Sequence, residues 1–152
     1  MEIYIRPLQI EDALTSYKWR NDPDIWKFTG SKPDRKITPD IELDWIRKVM
    51  KEENSKRFAI CLKRNDKYIG NVQLTNIEDG VAEFHIFIGE KKHWGKGIAT
   101  QATNQILKIV NYKLNLNEVY LFVKPENIAA VKVYQKIGFK KTDKPGEMRI
   151  YL

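Results

Sequence analysis

The sequence predicts one mixed α/β domain of the α+β kind, in which an antiparallel meander leads into alternating helices and strands. Three observations carry this. Alternating runs flank Asn65-Asp66, and another follows Glu78-Asp79-Gly80, the pattern of consecutive hairpins. The stretch from Ile98 to Leu114 and the stretch after Asn127 carry apolar residues at helical spacing, with a strand-like run between them. The length of 152 residues suits one domain with a full-sized core.

The elements follow in order. Glu2–Arg6 alternates as a strand and Pro7 ends it, because proline removes a ladder donor. Ile10–Trp19 places Ile10, Ala13, Leu14 and Tyr17 on one helical stripe; Trp19-Arg20-Asn21-Asp22-Pro23 breaks it, and Asp24–Phe28 forms a second short helix. Thr29–Lys36, with Gly30 and Pro33, reads as a mobile loop. Thr38-Pro39 starts a helix, with Thr as N-cap and Pro at the first helical position, and Ile41, Trp45, Ile46, Val49 and Met50 follow on one face. Arg57–Lys63, Tyr68–Thr75 and Val81–Ile88 are the meander strands. The helix from Ile98 runs to Leu114 and stops at Asn115–Asn117; Val119–Val123 is a strand. Pro125-Glu126-Asn127 opens a helix with Ala130, Val133, Tyr134 and Ile137 on one face, and Gly138 suits a left-handed C-terminal position. Phe139–Thr142 and Met148–Tyr151 close the sheet around Pro145-Gly146.

Composition narrows the function classes. No apolar run approaches the roughly 20 residues of a membrane span, and Met1–Arg6 lacks the layout of a signal peptide. The single cysteine, Cys61, excludes an internal disulfide and a cysteine-built metal cluster, so a cytoplasmic protein without metal is expected. The net charge of +7 fits either a nucleic-acid surface or a cleft that attracts an anionic small molecule. The basic residues are scattered in groups such as Lys63-Arg64, Lys91-Lys92 and Lys140-Lys141, with no nucleic-acid motif beside them, which favours the small anion and no nucleic-acid or membrane partner.

The most informative stretch is Lys92-His93-Trp94-Gly95-Lys96-Gly97-Ile98-Ala99-Thr100, a glycine turn between a strand and a helix. Such a turn aims unpaired amides and a helix dipole at one point, and a phosphate is its natural guest. The P-loop spacing fails, because Gly89 and Gly95 stand one residue too far apart. The dinucleotide fingerprint fails as well: Thr100 sits where its third glycine belongs, and antiparallel strands precede the turn.

A Gly-x-Gly turn after an antiparallel strand, followed by Asn127-x-x-Ala130-x-x-x-Tyr134-x-x-x-Gly138-Phe139, resembles the GCN5-related N-acetyltransferases. The resemblance extends over nearly the whole chain in element order and is strongest from Ala82 to Phe139; Lys92 departs from the usual Gln or Arg of the turn, keeping the charge and losing the planar fork. It implies a central, mostly antiparallel mixed sheet with helices on both faces, acetyl-CoA as co-substrate, and direct transfer of acetyl to a primary amine. The coenzyme would meet Phe87, Ile88, Gly89, Trp94, Gly95, Lys96, Gly97, Ile98, Ala99, Thr100, Asn127 and Tyr134. Lys91, Lys96 and Lys132 are candidates for its phosphates. Asn127 would hold the pantetheine arm, Tyr134 would protonate the leaving thiolate, and an oxyanion donor would lie near Ile88, where the strand splays at Gly89.

The family position of a proton-accepting glutamate falls on Glu83. His85 shares its strand face and titrates near neutrality, so Glu83, His85 or a water chain can serve as base. Arg20 and Asn21, in Trp19-Arg20-Asn21-Asp22, fall where relatives border the acceptor. The form of these segments looks like the branch that acetylates ribosomal-protein alanine, polyamines and nucleotide-linked amino sugars. The basic balance points toward the nucleotide-linked amino sugar and away from a free polycation, which it would repel, with a protein N-terminus as another acceptor. A monomer or homodimer is expected. The competing reading is a non-catalytic acyl-CoA sensor on the same fold.

Overall fold

The computed structural model describes residues 1–29 and 32–152, with the backbone alone for Phe28 and Thr29, so the loop expected over Thr29–Lys36 falls partly outside the described residues. Seven strands form one sheet: β1 (Ile3–Pro7), β2 (Lys56–Leu62), β3 (Tyr68–Glu78), β4 (Val81–Ile88), β5 (Glu118–Phe122), β6 (Lys140–Lys141) and β7 (Glu147–Tyr151), in the order β1-β2-β3-β4-β5-β7-β6. All pairings are antiparallel except β4 with β5. The helices are α1 (Ala13–Arg20), α2 (Pro23–Thr29), α3 (Pro39–Met50), α4 (Ile98–Ile109) and α5 (Ile128–Ile137). No helix among the described residues is long and apolar enough to cross a membrane.

Alternation along the strands divides the core in two. Ile60, Leu62, Val72, Leu74, Phe84, Val119 and Leu121 pack with Ile98, Ala102 and Ile106 of α4 and Val131 of α5. Ala59, Cys61 and Tyr68 turn to the opposite face and pack with Ala13 and Trp19 of α1 and Ile46 of α3. Helices therefore cover both faces, as the resemblance implies.

The exposed edge of β1 is closed by α4. Gln101 and Gln105, one helical turn apart, each reach across to the strand: Gln101 accepts from the Ile3 amide (3.2 Å) and donates to the Met1 carbonyl (2.6 Å). Gln105 accepts from the Ile5 amide (3.1 Å) and donates to the Ile3 carbonyl (3.0 Å). An unpaired strand edge is thus satisfied by side chains, and the helix that begins at the glycine turn is fixed to the sheet.

The endings of α4 and α5 differ from the sequence reading. The helix from Ile98 stays α-helical only to Ile109; a wider π-turn over Val110–Leu114 follows, with Val110 buried and Leu114 packed against the same core, and left-handed Asn115 (φ 49°) stops it. Gly138 ends α5 at φ 128°, ψ 2°, positive but outside the left-handed helical region, because its amide bends back to the Gln135 and Tyr134 carbonyls.

Gly89 lies flat against the indole of Trp19, and an added Cβ would overlap that ring. Gly89→Ala is expected to cost about 1–3 kcal/mol through overpacking, read as a lower urea midpoint. An unchanged midpoint would mean that α1 is not seated against β4 in this way.

Candidate active site

The site begins where two strands part. β4 and β5 pair only at Val81–Glu118, Ala82–Val119 and Glu83–Tyr120, whereas β4 stays paired with β3 as far as Ile88. The sheet therefore opens after Glu83 rather than at Gly89, where the sequence reading placed it. A cleft of about 1200 Å³ runs through the opening, lined on one wall by Phe84, Ile86 and Phe87 and on the other by Leu121, Phe122 and α5. The Gly89 amide donates to the Ile69 carbonyl at 2.7 Å. Antiparallel alternation then turns the N–H and C=O of Ile88, which pairs with Gly70, away from β3 and into the gap. The Ile88 carbonyl takes the Trp94 indole N–H at 2.8 Å.

Side chains of β4 alternate between two environments. Phe84 is buried and meets the rings of Tyr134 (6.1 Å between centroids) and Phe139 (6.3 Å). Glu83, His85 and Phe87 point to the opposite face, where Phe87 meets Trp19 edge-on. The Glu83 carboxylate accepts from the Asn76 amide at 3.1 Å and lies 3.3 Å from His85 Nε2. Crowding around His85 and the charge of Arg57 pull its pKa below the ordinary histidine value, and the Glu83 carboxylate opposes them.

α5 supplies the other wall. Asn127 caps the helix, its side-chain oxygen accepting from the Ala130 amide at 3.3 Å, and it also lines the cleft, so the cap and the cleft position are one residue. Two turns on, burial pushes the Tyr134 phenol up to about 12, which keeps it protonated at neutral pH. No partner among the described residues holds its hydroxyl.

Beyond β4 the chain makes a single 3-10 turn, Lys91–His93, and reaches the glycines. Gly95 (φ 74°) and Gly97 (φ 75°) are left-handed, and an added Cβ at either would meet nothing within 4 Å. Backbone conformation, not crowding, demands glycine there, and the space above the turn is open. No acceptor among the described residues meets the amides of Gly95–Thr100; the Gln101 amide is the first to close a helical bond, to Gly97 (3.3 Å).

Several residues expected at the site have other engagements. Lys91 bonds Asp22 (2.9 Å) and Asp24 (2.7 Å), tying the start of α2 to the turn, whereas Lys96 and Lys132 have no carboxylate partner among the described residues. Arg20 lines the cleft, but its guanidinium is bound to the buried Glu42 carboxylate at 2.5 Å and stacks over Trp45. Asn21 is not brought to the cleft: its amide bonds the Tyr17 carbonyl and both the N–H and C=O of Ile37, joining α1 to the segment before α3. Gln73 and Asn71 of β3 and Trp26 and Lys27 of α2 also line the cleft. Their spacing carried no motif, and only the fold brings them to Glu83.

Residues 2–140 match the model of the acetyltransferase (GNAT) domain, and the chain belongs to that family. It is an acetyl-CoA-dependent N-acetyltransferase that acts on amines. It is 29% identical to an uncharacterized N-acetyltransferase, p20, of Bacillus licheniformis over 140 residues, 90% of this chain and 78% of that one. It is likewise 29% identical to the spermidine N(1)-acetyltransferase of Escherichia coli K12 over 139 residues, 90% of this chain and 72% of that one. The structure of spermidine N-acetyltransferase from Vibrio cholerae with CoA and spermine superposes at a TM-score of 0.87 with 26% identity, covering 98% of this chain and 95% of that one.

Gly97→Ala forces an L-residue into a left-handed position at about 1–2 kcal/mol. Restoring the turn on binding should weaken acetyl-CoA roughly 5–30-fold by calorimetry. Equal affinity would mean that the turn does not hold the coenzyme.

Proposed function

We propose that the acetyl thioester enters the gap between β4 and β5, that Tyr134 protonates the departing sulfur, and that the Glu83–His85 pair takes up the proton of the acceptor amine. The observation that carries this is the placement of a neutral, half-buried phenol and a carboxylate–imidazole pair on the walls of one cleft. An ammonium acceptor gives up one proton to that pair, and its nitrogen lone pair forms the C–N bond. The C–S electron pair leaves on sulfur and takes the phenol proton, and the second nitrogen proton restores the phenol. The Ile88 amide, turned into the gap, is the candidate donor to the carbonyl oxygen as it gains charge. The Asn127 side chain and the amides of Gly95–Thr100 would hold the pantetheine arm and the pyrophosphate.

The acceptor is proposed to be the primary amine of a small molecule. The charged groups that line the cleft balance, with Glu42, Glu83 and Glu126 against Arg20, Lys27 and Lys124. The excess positive charge of the chain is therefore not gathered there, which gives no support to the nucleotide-linked amino sugar. Glu83 and the apolar side chains that line the cleft suit an amine on an apolar or planar body. Relatives that acetylate spermidine are consistent with such an acceptor. Intact Tyr134 and Glu83 favour catalysis over a sensor.

Release of coenzyme A against a panel of amines tests this reading. Tyr134→Phe should lower kcat about 10²–10⁴-fold while acetyl-CoA affinity stays within twofold of wild type. Equal turnover by the two proteins would remove Tyr134 as the acid.

A further inference from the structure

We propose that Nδ1 of His85 is the atom that receives the acceptor's proton, and that Glu83 is a positioning residue which holds the imidazole in the tautomer that leaves Nδ1 free. The inference rests on the acetyl-transfer reading above and decides between two bases which that reading leaves together.

Three contacts lead to it. The polar neighbours of the ring both converge on Nε2: Glu83 Oε2 at 3.3 Å and Thr75 Oγ1 at 3.1 Å. An ionised carboxylate beside a ring nitrogen favours N–H there, so Nε2 carries the proton and is shared between the two oxygens, and the lone pair falls to Nδ1. The second Glu83 oxygen is engaged as well, by the Asn76 amide at 3.1 Å. Asn76 reaches it from a left-handed position (φ 51°) at the irregularity between β3 and β4, a conformation that asparagine tolerates better than most residues. Both carboxylate oxygens of Glu83 are thus occupied by donors within the chain. Its side chain is 16% exposed, whereas that of His85 is 44% exposed on the cleft wall. Nothing among the described residues meets Nδ1.

The charged surroundings agree. Glu83 on β4 and Arg57 on β2 act on His85, and Tyr120 on β5 faces Glu83. α1 and α3 bring Arg20 and Glu42 to the same cleft, but as a pair whose charges cancel. Burial and Arg57 hold the imidazole neutral near pH 7, so its lone pair is available when an ammonium arrives. The ammonium N–H bond breaks, its proton goes to Nδ1, and the resulting imidazolium, stabilised by Glu83, returns the proton to water through its exposed edge. Thr75 and Asn76 have no part in the family motif, and neither takes a proton in this scheme.

The test compares His85→Ala, His85→Gln and Glu83→Gln with wild type. It measures kcat and kcat/KM from pH 5 to 9 with an amine that wild type turns over, and acetyl-CoA affinity by calorimetry. Both His85 variants should lose about 10²–10⁴ in kcat, keep coenzyme affinity, and lose the acidic limb of the profile, and added imidazole should restore part of the His85→Ala rate. Glu83→Gln keeps an acceptor for Nε2–H, so it should lose roughly tenfold or less and retain the limb. That limb should move to lower pH, because the carboxylate that raised the His85 pKa is gone. Wild-type turnover by the His85 variants would overturn the assignment. So would a Glu83→Gln loss that equals theirs and abolishes the limb, which would make Glu83 the base. If wild type binds acetyl-CoA and acetylates no amine, the acetyl-transfer reading fails first, and this one with it.

Discussion

Two parallel strands that share only three residue pairs leave backbone groups on both sides of a widening gap, and those groups must find partners elsewhere. In this chain β4 solves half of the problem by staying in register with β3 as far as Ile88, with the Gly89 amide bonded to Ile69, so the groups left over are those that face the departing β5. The opening is polar along its edge and apolar along its walls. It joins the face covered by α5 to the face covered by α1 and α3, so a donor entering from one side can meet an acceptor entering from the other. Tyr134 stands on the first side and the Glu83–His85 pair on the second, and the strand separation sets them on opposite walls of one cleft.

Supports at a distance keep that gap in shape. The two glutamines of α4 clasp the edge of β1, which fixes the helix whose first turn carries the glycines. Lys91 joins the start of α2 to the segment before the turn. Arg20 and Glu42 join α1 to α3 beneath the acceptor side, with Ser16 completing the carboxylate's bonds at 2.6 Å. A buried, hydrogen-bonded ion pair of this kind is better evidence for positioning than for added stability, since desolvation offsets much of its attraction.

Much of this was legible in the sequence. The turn residues Asn65-Asp66 and Asp79-Gly80, the Thr38-Pro39 cap (Thr38 accepts from the Ile41 amide at 3.2 Å) and the Asn127 cap act locally, so their chemistry can be read from neighbours a few residues away. Glu83 and His85 share a strand face for the same reason. What could not be read depends on residues far apart in the chain. Arg20 and Asn21 look like free polar groups until Glu42 and Ile37 are seen to occupy them, and Lys91 looks like a phosphate ligand until α2 brings Asp22 and Asp24 to it. The insertion of β7 between β5 and β6, and the point at which β4 leaves β5, are likewise set by packing that no local pattern encodes. The net charge misled in the same way, because its excess lies outside the cleft.

Amide hydrogen exchange followed residue by residue, with and without acetyl-CoA, tests the central claim that the strand gap is the coenzyme's seat. The Ile88 amide should exchange quickly in the free protein and become protected on binding, together with the amides of Gly95–Thr100, while the Gly89 amide, already bonded to Ile69, is protected in both states. If the coenzyme binds and Ile88 exchanges at the same rate as before, the thioester does not pass between β4 and β5, and the account of the site is wrong.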